Sequence, residues 1–255
     1  MMARRDWLTS ALAAGASAAL PGGAAALPGA APGPALGWEQ TESFRGVVTK
    51  QVALRYLVWM PDPAAKPATG WPLMIFLHGS GERGHSLAKV KAHGPPMYAA
   101  AGRRFPFVLV APQVDEGDSW HSDEIEALRA DLVARLPIDP DRVLVTGMSM
   151  GGYGAWNYAV AYPEQLAAVV PVCGIGNVER AARVAQVPVW AFHGARDSVV
   201  PIAADREMVE AVREAGGQVK FTVYDDIGHN AWDRAYADPA LYAWLLAQRR
   251  VRAAR

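Results

Sequence analysis

A serine in a glycine-bounded turn is the residue of this chain best suited to chemistry. Ser149 lies in a G-x-S-x-G pattern over residues 147–151, between a β-branched run and a helix-compatible run. A serine on a tight strand-to-helix turn exposes its hydroxyl at the edge of a sheet, and close backbone approach favours glycine on both sides. The following helix directs its N-terminus at the negative charge that develops during acyl transfer. The pattern predicts a nucleophile; a glycine-rich turn with a spectator serine is the alternative.

Two further polar side chains each follow a predicted strand. Asp197 comes after residues 187–193, and His229 comes after residues 218–224. The carboxyl ends of parallel strands share one edge of a sheet, so both side chains are expected beside the serine. The chain order Ser, Asp, His is that of an α/β-hydrolase catalytic triad.

The triad assigns a role to each residue. Ser149 would attack the acyl carbon, His229 would accept its proton, and Asp197 would hold the imidazole in the required tautomer. Asp225 and Asp226 compete with Asp197 for the acid role because they precede His229 closely. A loop histidine packed on Trp232 is the structural alternative for His229.

The elements that must position these groups alternate between buried strands and helices. This alternation predicts the α/β class, with a mostly parallel sheet covered by helices on both faces. Two strands near the start, over 45–52 and 54–60, are expected to form a hairpin at the sheet edge. The remaining predicted strands cover 73–77, 107–111, 142–146, 167–172, 187–193 and 218–224. The predicted helices cover 123–136, 151–162, 203–215 and 240–249, with one more inside 87–100.

Composition excludes several classes of function. The 255 residues include 25 basic and 25 acidic side chains, so there is no basic excess for a nucleic-acid partner. The single cysteine, Cys173, excludes an intramolecular disulfide and follows an apolar strand, where a buried core residue is expected. Four histidines lack the spacing of a metal site, and no metal or cofactor is predicted. They are His85, His93, His121 and His193.

The N-terminal stretch is typical of an export signal. Arg4 and Arg5 precede an uncharged, alanine-rich run, which predicts a signal peptide over residues 1–26 of the twin-arginine type. The run is weak and interrupted, so no stable membrane span is expected. Residues 27–40 are predicted to be a flexible linker and 41–255 the catalytic domain, giving a periplasmic or secreted protein. A disordered alanine- and proline-rich tail is the alternative.

Four motifs together resemble the α/β-hydrolase superfamily. They are residues 78–84, 147–154, 193–197 with 200–201, and 228–232, within a match over roughly residues 73–249. The sequence is similar to small secreted feruloyl and acetylxylan esterases and to predicted peptidases related to prolyl oligopeptidase. The resemblance implies an oxyanion hole made by the backbone N–H groups of Met150 and Ser80, with Gly81 as an alternative to Ser80.

The expected cleft is open. Residues 173–186, between two predicted strands, are too few for the lid that lidded relatives insert there. Trp120 and Trp232 are candidates for the substrate rim, although either could be a core residue. These features predict a serine esterase that cleaves short-chain or aromatic esters, including carbohydrate-linked ones. A serine peptidase and a non-catalytic binding protein on a hydrolase fold remain alternatives, and the sequence leaves the oligomeric state open.

Overall fold

The computed structural model describes residues 43–47 and 49–250. The predicted signal peptide and linker lie outside the described residues. Residues 43–47 and 49 carry no helix or strand, and the compact unit begins at Lys50. Within the described residues, no helix is both long enough and apolar enough to span a bilayer.

One seven-stranded sheet forms the centre of the described part of the chain. Its order is β1-β3-β2-β4-β5-β6-β7, with β1 antiparallel to β3 and every other pairing parallel. The strands are β1 Arg55–Trp59, β2 Trp71–Leu77, β3 Val108–Gln113, β4 Ile138–Met148, β5 Ala168–Val172, β6 Val189–Gly194 and β7 Val219–Tyr224. The helices are α1 Gly94–Ala100, α2 Ser122–Arg135, α3 Met150–Ala161, α4 Ile202–Glu214, α5 Ala231–Ala237 and α6 Pro239–Ala247.

Helices cover both faces of the sheet because its central strands are apolar on both sides. Every residue of β2 is buried. Leu73, Ile75 and Leu77 face the core beneath α2, α3 and α4, whereas Met74 and Phe76 face the core beneath α1, α5 and α6. Successive strand residues point to opposite faces, so a continuous apolar run feeds two cores. The predicted α/β architecture is confirmed.

The predicted N-terminal hairpin is wrong. No described residue of 45–52 lies in a strand, and β1 pairs with β3 instead. Every described side chain of 45–52 is exposed, so this segment has no apolar face to bury against a sheet. Between β5 and β6 the described chain carries only a short 3₁₀ helix, Val178–Val184, and no lid domain.

Candidate active site

Ser149 occupies the sharp turn between β4 and α3. Its backbone has φ 53° and ψ −119°, a conformation that a residue with a side chain adopts only when its surroundings hold it there. Its N–H donates to the carbonyl of Val172 (2.8 Å). A Cβ on Gly147 would overlap the carbonyl of Gly151, and one on Gly151 would overlap the carbonyl of Leu77. Both glycines are therefore required for this turn.

The three residues of the predicted triad lie in one hydrogen-bonded chain. The Ser149 hydroxyl donates to Nε2 of His229 (2.9 Å), and Nδ1–H of His229 donates to Oδ2 of Asp197 (2.8 Å). The other carboxylate oxygen, Oδ1, accepts from the N–H groups of Val199 (2.9 Å) and Val200 (2.8 Å). The Asp197 side chain is fully buried and that of His229 is 20% exposed. The arrangement is that of a nucleophile, a base and a residue that orients the base.

The environment of Asp197 favours its charged form. Burial raises the pKa of this carboxyl, but hydrogen bonds from His229, Val200 and Val199 outweigh burial and bring the pKa below its usual value. Asp226, one of the competing acids, instead forms a two-pronged ion pair with Arg234 (2.8 and 2.9 Å). The Arg234 side chain lowers the pKa of Asp226 to about 2.

The two predicted oxyanion donors stand at the starts of helical segments beside Ser149. Met150 is the first residue of α3, and Ser80 opens a 3₁₀ helix, Ser80–Glu82, just after β2. The first N–H groups of a helix have no partner within it and are available to an anion. The loop and the turn are in contact, since a Cβ on Gly79 would lie 3.6 Å from the carbonyl oxygen of Met148.

His78 braces the loop that carries Ser80. Its Nδ1–H donates to the carbonyl of Gly79 (2.6 Å), and its Nε2 accepts from the N–H of Val114 (3.2 Å). Burial lowers the pKa of His78 to about 4, so the ring is neutral near pH 7. Trp120 packs on the same loop: its Nε1–H donates to the carbonyl of His78 (2.9 Å).

The candidate rim tryptophans have different positions. Trp120 is mostly buried and lines a cleft of about 480 Å³ in front of Ser149. Trp232 packs edge-on against the His229 ring, with centroids 5.0 Å apart, and contacts His93 on its other side. Trp120 thus lines the cleft and Trp232 packs against the imidazole, and a role for either at the substrate rim stays a prediction.

Two residues of the cleft wall were not predicted from the sequence. Tyr153 and Asn157, both on α3, line the cleft together with Val199. They lie four and eight residues beyond Ser149, so helical periodicity places them on the face of α3 below the serine. This spacing was the available signal.

Cys173 is buried, as its position after an apolar strand predicts. Its thiol donates to the carbonyl of His229 (3.2 Å), and burial raises its pKa to about 12. The sulfur is therefore a neutral thiol rather than a nucleophilic thiolate near pH 7. Ligand atoms of Cys173, His193 and Asp197 lie within 4.8 Å of one another, but hydrogen bonds inside the protein already engage all three side chains.

This geometry agrees with the comparisons with known proteins. The model of the dienelactone hydrolase family matches residues 39–241. The chain belongs to the dienelactone hydrolase family. Membership confirms the predicted α/β-hydrolase fold and indicates a hydrolase that acts on esters.

Three proteins similar to this dienelactone hydrolase family member have esterase names. A crystal structure described as a thermostable esterase has 30% identity and a TM-score of 0.67 over 77% of this chain and 60% of that one. A "probable carboxylesterase" of rice, Oryza sativa subsp. japonica, is 27% identical over 201 residues, covering 65% of this chain and 84% of its own. A "probable inactive carboxylesterase" of the same plant is 27% identical, covering 66% and 82%. This chain thus spans about three fifths of the thermostable esterase.

Proposed function

We propose that this protein is a serine esterase that forms an acyl-enzyme on Ser149. The observation that carries the proposal is the continuous hydrogen-bonded chain from Ser149 through His229 to the buried carboxylate of Asp197. Family membership supports ester hydrolysis in general. The strained backbone of Ser149 at the floor of an open cleft supports a nucleophilic role for this serine.

The proposed reaction runs in two halves. In the first, Nε2 of His229 takes the hydroxyl proton while Oγ of Ser149 bonds to the ester carbonyl carbon. The resulting oxyanion accepts hydrogen bonds from the N–H groups of Met150 and Ser80. The tetrahedral intermediate collapses, the alkoxide leaves with the proton from His229, and an acyl-enzyme remains. In the second half, His229 deprotonates a water molecule, which attacks the acyl carbon. The bond between Oγ and the acyl carbon then breaks, His229 returns its proton to Oγ of Ser149, and the acid is released.

Throughout the cycle Asp197 stays ionised. Its carboxylate offsets the positive charge that His229 carries while it holds the transferred proton. The hydrogen bonds that lower the pKa of Asp197 keep the carboxylate available for this task. The 20% exposure of the His229 side chain leaves the imidazole partly accessible to solvent.

The cleft favours short-chain or aromatic acyl groups. Its volume of about 480 Å³ suits a small acyl or aryl group, and Trp120 and Tyr153 offer aromatic surface along its wall. An open cleft, with no lid among residues 43–47 and 49–250, also admits esters attached to carbohydrate polymers. A long lipid chain would leave most of its length in water.

We further propose that the protein is exported. Arg4 and Arg5 before an uncharged run support a twin-arginine signal over residues 1–26, followed by a linker over 27–40 and the catalytic domain over 41–255. Replacing both arginines with lysine should retain the precursor inside the cell, measured by fractionation and immunoblotting. Undiminished export of the double variant would contradict a twin-arginine route.

The nucleophile is tested by substitution and by labelling. Ser149→Ala should lower kcat by about 10⁴- to 10⁶-fold and abolish labelling by a fluorophosphonate probe. Ser86→Ala is the matched control, because Ser86 is an exposed serine outside the cleft and should keep both properties. If the wild-type protein neither reacted with the probe nor hydrolysed an ester, the alternative of a non-catalytic binding protein would be favoured. That outcome would make this chain similar in activity to its relative named a probable inactive carboxylesterase.

The substrate class is tested by comparing kcat/KM across a panel. The panel comprises p-nitrophenyl acetate, butyrate and palmitate, methyl ferulate, acetylated xylan and a chromogenic peptide. Acetyl, butyryl or feruloyl esters should rank above palmitate and the peptide. If palmitate or the peptide ranked first, the short-chain or aromatic preference would be refuted.

A further inference from the structure

Two buried ionisable side chains that the proposed reaction does not use lie directly behind Asp197. His193 is in β6 and Asp205 is in the first turn of α4, and both are fully buried. Oδ2 of Asp205 lies 2.8 Å from Nδ1 of His193, while its Oδ1 accepts from the indole N–H of Trp156 (3.1 Å). Buried ionisable groups are unfavourable unless they are paired and hydrogen-bonded, so this arrangement needs a reason.

The hydrogen bonds determine where the protons of His193 lie. Nε2 lies 3.0 Å from the carbonyl oxygen of Val200, which can only accept, so Nε2 carries a hydrogen. The contact between Nδ1 and Asp205 then holds one proton, on either the ring or the carboxyl. Burial raises the pKa of Asp205. Burial lowers the pKa of His193, but the hydrogen bonds to Asp205 and Val200 and the nearby carboxylates together outweigh burial and raise this pKa. Both raised pKa values mean that this proton is retained, so His193 and Asp205 together carry no net charge.

The His193 ring also lies against the proposed catalytic acid. Its Nε2 is 3.3 Å from Oδ2 of Asp197, the oxygen that accepts from His229, while the hydrogen on Nε2 is directed at the carbonyl of Val200. Val200 links the two sides, because its N–H donates to Oδ1 of Asp197 (2.8 Å) while its carbonyl accepts from His193. The Asp197 carboxylate is thus held by Val200, Val200 is held by His193, and the hydrogen bond to Asp205 fixes the His193 ring.

We propose that His193 is a positioning residue for the reaction: its Nε2–H holds the carbonyl of Val200, whose N–H in turn holds the Asp197 carboxylate in line with His229, and Asp205 keeps His193 in the tautomer that can donate. This inference rests on the proposed function of Ser149, His229 and Asp197. Loss of the His193 donor frees Val200, so the carboxylate can rotate away from His229. It also weakens the hydrogen bond from Val200 and leaves more negative charge on the carboxylate that faces the imidazole.

The second effect predicts a pH signature. The other titratable groups that face Asp197 are Tyr153 on α3 and Cys173 after β5, and burial raises the pKa of both, so they stay neutral near pH 7. A carboxylate whose hydrogen bond from Val200 is weakened binds the His229 proton more tightly. The acid limb of the kcat/KM profile should then move to higher pH, and the direction is the same whether His193 is charged or neutral.

Two substitutions separate positioning from bulk packing. The amide nitrogen of Gln can occupy the place of Nε2, whereas that of Asn reaches only the place of Nδ1. His193→Asn should lower kcat by about 10- to 100-fold with little change in KM, and should move the acid limb upward by about one pH unit. His193→Gln should restore the limb to the wild-type position and recover most of kcat. Thermal melts of both variants establish that they are folded.

The outcomes discriminate clearly. An acid limb that stays in place in folded His193→Asn, or that moves equally in both variants, overturns the positioning role. If His193→Asn does not fold, imidazole ¹⁵N–¹H spectra of the wild type decide: a slowly exchanging Nε2–H on His193 supports the proposal, and an unprotonated Nε2 overturns it. Failure of the proposed function itself appears separately, as wild-type protein that a fluorophosphonate does not label.

Discussion

Replacing Asp197 with Asn is the sharpest test of the site, because the structure determines how the new amide must point. Oδ1 of Asp197 accepts from two backbone N–H groups, those of Val199 and Val200. The amide oxygen must take this place, since an amide NH₂ there would face two donors. The NH₂ group then takes the place of Oδ2 and is directed at Nδ1 of His229.

That orientation reverses the imidazole tautomer. Nδ1 of His229 would accept from the amide, so the ring proton would sit on Nε2, which could no longer take the proton of Ser149. If His229 returned to the tautomer that can accept the Ser149 proton, its Nδ1–H would face the NH₂ group of the new amide. The hydrogen bond from Nδ1–H to a charged carboxylate would also be lost. We expect a loss of about 10³- to 10⁴-fold in kcat, equivalent to ~4–5.5 kcal/mol of transition-state stabilisation.

The assay is kcat on p-nitrophenyl acetate at pH 7, beside a thermal melt that establishes folding. Asp226→Asn is the matched control, because this carboxylate lies close to His229 in sequence but pairs with Arg234 at the surface. It should change kcat by no more than about twofold. If folded Asp197→Asn retained more than about a tenth of wild-type kcat, the argument from amide orientation would be refuted.

Other perturbations have equally definite outcomes. Gly151→Ala places a Cβ that overlaps the carbonyl of Leu77, so the turn that carries Ser149 must move. The kcat of this variant should be about 10²-fold below that of the wild type assayed at equal concentration. The rate should rise with pH as His229 loses its proton; a flat profile between about pH 5 and 9 would contradict a histidine base. His78 has a pKa of about 4 in the folded protein against an ordinary value of 6.5, so the free energy of unfolding should fall by ~3 kcal/mol as the pH drops from about 6.5 to about 4. Urea titrations should show this fall reduced in His78→Asn but unchanged in His85→Asn, whose imidazole is exposed.

The sequence predicted the positions of Ser149, Asp197 and His229 because each follows a strand that the apolar pattern reveals. Parallel strands bring their carboxyl ends to one edge, so three distant residues converge without any contact being visible in the sequence. The predicted roles of these residues remain hypotheses. The helix over 231–237 was missed because it is only two turns long and follows the His229 loop directly.

His193 and Asp205 were missed for a different reason. A charged residue near the start of an amphipathic helix ordinarily belongs to its solvent face. Asp205, however, lies three, four and seven residues before Met208, Val209 and Val212, which are buried, so it falls on the apolar stripe of α4. An acidic residue in phase with an apolar stripe was the signal for a buried partner. The partner itself could be found only from the fold.

The place of β7 at the end of the strand order has a consequence for inactivation. This strand carries the loop to His229, yet in the described sheet it pairs only with β6 and none of its residues is fully buried. Terminal strands with partial burial open at lower free energy than the interior of a sheet. The interior strand β4, which carries Ser149, would remain folded during such an opening. On warming, the enzyme should therefore lose its base before its serine, so that turnover disappears while the far-ultraviolet circular dichroism of the central sheet is still intact.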